Sequence, residues 1–65
     1  MRKVEMIYAY QLECGDLIHC WEGWHLVFNL KGSYVRGRGL LVDIKLQDGW
    51  HHVECSAQLK VLRHG

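Results

Sequence analysis

The sequence predicts an all-β fold: a small, strongly bent antiparallel barrel of five or six short strands, with a 3₁₀ turn before the last strand. Three observations predict it. Apolar and polar residues alternate in several short runs, turn signals separate those runs, and helical periodicity is weak throughout. With 65 residues, 49% of them hydrophobic and 23% charged, residues 1–65 have material for one domain and one core. A domain of this size is marginal and leans on staples or association.

"KVEMIYAY" is the opening strand. "DLIHCW" and "WHLVFNLK" follow as a hairpin around the Glu22-Gly23 turn. Apolar residues fall on both faces of this hairpin, as expected where one face fills a barrel and a neighbouring loop partly covers the other. Lys31 to Gly39, "KGSYVRGRG", is predicted as an exposed, mobile loop, because its glycines weaken any strand through it. "LLVDIKLQ" is a half-buried strand with Val42, Ile44 and Leu46 inward and Asp43, Lys45 and Gln47 outward. Asp48-Gly49 turns the chain, and "WHHVEC" resumes with Val53 and Cys55 in phase. "SAQ" fits one 3₁₀ turn, and "LKVLR" closes the fold with Leu59 and Val61 in phase. The expected core is Ile18, Val27, Val42, Ile44, Leu46, Val53 and Val61.

Two of these stretches, "QLECGDLIHCWEGWHLV" and "GRGLLVDIKLQDG", resemble the SH3-like amino-terminal domain of elongation factor P and its eukaryotic relatives. The first is similar to that domain's opening of a polar residue, leucine, Gly-Asp, an aliphatic strand and a glycine-containing turn. The second is similar to its glycine-flanked basic tip, strand and turn. The resemblance spans roughly residues 6 to 62 and implies an SH3-like barrel with a projecting basic loop. In the family, the tip residue is a lysine that becomes modified and reaches toward the ribosomal catalytic centre. Arg38 stands at the corresponding position and cannot receive that modification, so the resemblance does not extend to translation-factor activity.

Charge is segregated along the chain. Residues 4 to 30 hold Glu5, Glu13, Asp16 and Glu22 with no lysine or arginine, whereas residues 31 to 45 hold Lys31, Arg36, Arg38 and Lys45 against Asp43 alone. Such asymmetry bears on partners rather than on fold. It suggests a nucleic-acid-binding module, for RNA or DNA, in which Lys31, Arg36, Arg38 and Lys45 meet phosphates and Tyr34 stacks on a base. The alternative is a protein-interaction module, an accessory or inhibitory protein of bacterial or phage origin. It would act through exposed Trp21, Trp24 and Trp50 and the acidic segment.

Catalysis is not expected, because no hydrolase, kinase or nucleotide motif is present and a barrel this small offers little to exclude water. Eight cysteines and histidines invite a zinc reading, yet no Cys-x-x-Cys knuckle appears, and His52 with Cys55 is the one mixed pair at ligand spacing. No metal or cofactor is expected. Strand phase makes Cys20 and Cys55 core hydrophobes, and Cys14 is the cysteine expected to be exposed. With no signal peptide and no apolar run long enough to span a bilayer, the chain reads as a cytoplasmic protein with reduced thiols, no membrane contact, and a monomeric or weakly dimeric state.

Overall fold

The computed structural model describes residues 2–64, which fold into seven strands. They are β1 (Arg2–Tyr8), β2 (Leu17–His19), β3 (Trp24–Leu26), β4 (Asn29–Val35), β5 (Gly39–Leu46), β6 (Gly49–Glu54) and β7 (Gln58–His64). All pairings are antiparallel and form two sheets, one of four strands in the order β1-β7-β2-β3 and one of three in the order β4-β5-β6. The all-β prediction therefore holds, with more strands than the five or six expected. The described residues contain no helix long and apolar enough to cross a membrane.

The additional strand comes from the stretch expected to be a loop. Asn29–Val35 pairs with β5 along its whole length, with Lys31 opposite Asp43 and Tyr34 opposite Leu40, so only 36–38 remain as the turn. The segment is exposed, but it is an edge strand rather than a mobile loop. The expected strand 24–31 breaks at Val27-Phe28, where the chain passes from one sheet to the other. The Val27 amide donates to the Asp16 carbonyl and the Phe28 amide to the Lys45 carbonyl, and the Val27 side chain is 1% exposed. Two successive amides thus serve opposite sheets, and the ladder hydrogen bonds to β5 outweigh the weak strand propensity of Gly32.

The 3₁₀ turn is also displaced. It forms at Ala9–Gln11, directly after β1, while 55–57 is a tight turn closed by the Ala57 amide on the Glu54 carbonyl. Gln11 reaches back through Oε1 to accept the Tyr8 amide at 2.9 Å, and buried Ala9 donates to the Ala57 carbonyl. These bonds give the first position capping and tertiary support. Gln58 is already extended in β7.

Ile18, Val27, Ile44, Leu46 and Val61 form the centre of the core, each at most 1% exposed, joined by Ala9, Leu12 and Leu59. Val42 and Val53, expected among them, are half-buried against its margin with Ile7, Cys20 and Leu30. The chain turns at Gln47-Asp48, one residue before the expected Asp48-Gly49, and Gly49 already pairs with Leu46 at φ +128°, where a side chain would be strained.

Asp16 anchors the segment between β1 and β2. The Arg63 guanidinium forks onto its carboxylate, Nε to Oδ1 at 3.0 Å and Nη2 to Oδ2 at 2.9 Å, and Nη2 also donates to the Gln11 carbonyl at 2.8 Å. Glu13 lies 3.5 Å from the same nitrogen and donates its amide to Asp16. Two of the four carboxylates of the acidic segment are thereby spent on folding rather than on display.

Candidate interaction surfaces

The outer face of the four-stranded sheet is apolar. The register places Val4, Leu62, Leu17 and Leu26 in one row across all four strands, and Met6, Lys60, His19 and Trp24 in the next. A third row adds Tyr8 and Gln58. The opposite face of the same sheet carries the buried Ile18, Leu59 and Val61, so β2 and β7 have apolar residues on both sides. Val4 and Met6 are 55% and 60% exposed, Trp24 is 44% exposed, and Leu26 is exposed beside half-buried Leu17 and Leu62. Mixed alternation in the first hairpin was the signal of this face in the sequence. A neighbouring loop is expected to cover this side in part; among the described residues Leu17 and Leu62 are half-buried while Trp24 and Leu26 stay exposed.

The three tryptophans are not brought together. Trp24 belongs to the apolar face, with the His19 ring against it edge-on at 5.0 Å. Trp21 sits in the turn between β2 and β3 and stacks on His51 at 4.7 Å. Trp21 and Glu22 there adopt left-handed backbone, φ 47° and 64°, a conformation that costs an L-residue roughly 1 kcal/mol. Trp50 lies on the outer side of the three-stranded sheet.

That second outer side is polar. Lys45 stands opposite Trp50, and the Lys31 and Lys45 ammonium groups lie 4.6 and 5.7 Å from its ring centroid, both in cation–π range. The adjoining row runs Lys31, Asp43, His52. Asp43, expected to face solvent freely, is 2% exposed, because the side chains of neighbouring strands lie over it. It accepts hydrogen bonds from His52 Nδ1 at 2.5 Å and from Ser33 Oγ at 3.1 Å. The His52 bond, then Ser33 and the nearby charges of His52 and Lys31, hold the Asp43 carboxyl below its ordinary value against the opposing effect of burial. At the end of the hairpin, Arg36 and Arg38 flank Gly37 in the turn, and Arg38 lies 3.9 Å from Glu54.

The five residues expected to contact nucleic acid are therefore divided. Lys31 and Lys45 share the outer side of β4 and β5, Arg36 and Arg38 occupy the turn, and Tyr34 alternates out of phase with Lys31 onto the opposite side. Lys31 and Arg38 have Asp43 and Glu54 beside them from neighbouring strands.

A lowered carboxyl pKa in the fold adds stability above the unfolded value, about 3.9, and that stability is lost as pH falls through the folded value. The Tm difference between wild type and Asp43→Asn is accordingly expected to be full at pH 6 and to shrink below about pH 4. Calorimetry at a series of pH values checks this. A difference that did not change with pH would show that Asp43 acts through packing alone.

A smaller groove of about 280 Å³ lies between the 3₁₀ turn and β4, lined chiefly by Ala9, Leu12, Leu30, Gly32 and Val42. Cys14 is exposed, while burial pushes the Cys20 thiol up to about 11, which keeps it neutral at pH 7. Among the described residues no three His, Cys, Asp or Glu side chains gather where they could hold a metal ion. No family model, curated protein or solved structure matches this chain.

Proposed function

We propose that this protein is a small non-enzymatic interaction module that docks a protein partner on the outer face of the four-stranded sheet. The observation that carries the reading is the aliphatic row Val4, Leu62, Leu17 and Leu26, continued by Met6 and Trp24. A half-exposed antiparallel sheet ordinarily alternates apolar-in and polar-out. Departure from that pattern on all four strands leaves a contiguous apolar surface of the kind that marks interaction sites. Trp24 supplies an aromatic anchor at its edge. Seven antiparallel strands in two sheets that share one core further support an SH3-like barrel similar to the elongation factor P amino-terminal domain.

Selecting peptides from a display library on the immobilised protein tests the reading. Selected binders are expected to lose at least tenfold in affinity to Met6→Asp and to Trp24→Ala, both with near-native Tm because the altered side chains are exposed. Binders indifferent to both substitutions would place the interaction elsewhere.

A second reading, nucleic-acid contact, is favoured by the pairing of Lys31 and Lys45 at Trp50 beside the Arg36 and Arg38 turn. If phosphates are bound there, labelled single- and double-stranded oligonucleotides should show a salt slope that falls by about 2 in Arg36→Ala/Arg38→Ala. Equal, negligible binding by both proteins would remove this reading.

A further inference from the structure

We infer that the partner for the apolar face is a protein segment presenting apolar side chains around a carboxylate, and not a second copy of this chain. This inference rests on the reading of that face as a protein-docking surface. It follows from Lys60, which is exposed in the second row between Met6 and His19, with the aliphatic row on one side and Tyr8 and Gln58 on the other. Lys60 has no ion-pair partner among the described residues, and its register position lies between the aliphatic row and the Tyr8–Gln58 row rather than beyond them. A partner that covers the face must desolvate that charge, and an unpaired buried ammonium is costly.

This chain has little to offer Lys60. Of its seven carboxylates, Glu13 and Asp16 lie at Arg63, Asp43 at His52, Asp48 at His51 and Glu54 at Arg38. Glu5 is in register with buried Val61, which places it on the inner side of β1, and Glu22 lies in the turn beyond β2. A second copy docked face to face would bring another Lys60, which is like charge against like. A membrane surface fits no better, since interfacial binders keep cations around the apolar face and not in its midst. Complementarity therefore selects an apolar segment with an acidic residue inside its stripe. Pairing there fixes register as well as contributing affinity.

Two fluorescein-labelled amphipathic helical peptides with the same leucine stripe, one with glutamate and one with lysine within it, provide the test by anisotropy titration. Wild type is expected to bind the glutamate peptide at least tenfold more tightly, Lys60→Glu to reverse that preference, and Met6→Asp to bind neither. Equal affinity of wild type for the two peptides would overturn the inferred partner chemistry while leaving the docking face in place. Glutamate-peptide binding that persisted unchanged in Met6→Asp would overturn the docking face itself, and failure of wild type to bind either peptide would overturn the inference. A concentration-dependent dimer in sedimentation, lost in Met6→Asp, would instead assign the face to a second copy. Pelleting with anionic vesicles, lost in the same variant, would assign it to a membrane.

Discussion

Ile44→Asp is expected to leave the protein without a cooperative thermal transition at neutral pH. Ile44 is 0% exposed at the middle of β5, in register with Leu30 on one side and His51 on the other, and packs in the cluster of Ile18, Val27, Leu46 and Val61. A carboxylate there would lose its hydration with no built partner, a cost of several kcal/mol, and a domain of this length has about 5 kcal/mol or less to lose. Circular dichroism on heating reads the outcome. Ile44→Val, which trims one methyl group, should melt cooperatively with a loss of about 1 kcal/mol. A native-like transition in Ile44→Asp would mean that the inner face of β5 is not the core.

Arg63→Ala is expected to be the most damaging substitution of a polar side chain, at about 3 kcal/mol, because it leaves Asp16 covered and unpaired. Asp16 is 6% exposed, and among the described residues its carboxylate accepts, besides the two bonds from the Arg63 fork, only the Glu13 amide. The same guanidinium holds the Gln11 carbonyl, so its loss also frees the segment between the 3₁₀ turn and β2 from β7. Arg63→Lys should recover part of the loss, since an ammonium supplies the charge without the two-pronged geometry. In urea melts, the Arg63→Ala/Asp16→Ala double variant should be less destabilised than the two single variants added together. Additive effects would mean that the two residues act separately.

The second hairpin was readable from its own residues. Alternation in "LLVDIKLQ" and "WHHVEC" around Asp48-Gly49 placed β5 and β6 and two of their core side chains, Ile44 and Leu46, with Val42 and Val53 falling at the margin. The Glu22-Gly23 turn and the burial of Ile18, Val27 and Val61 were likewise local signals. In each case the information lies within one strand and its turn, where period-two patterning and a glycine with positive φ suffice.

What failed depended on contacts between segments rather than on the residues of any one of them. β4 has the composition of a loop and becomes a strand because β5 accepts its ladder. The 3₁₀ turn settled where a glutamine could cap it and a distant carbonyl could receive Ala9. Asp43 carries the polar character of a solvent-facing residue, yet side chains of the flanking strands cover it.

The sequence by itself determined an all-β chain, its second hairpin and most of its core, because alternation and turn chemistry act over a few residues. The tertiary structure decided the two candidate surfaces. The row from Val4 to Leu26 draws one residue from each of four separated segments, and the Arg63 to Asp16 clamp joins positions 47 residues apart. Strand order and register bring these side chains together. Those follow from hydrogen bonding and packing among all the segments at once, which no single segment encodes.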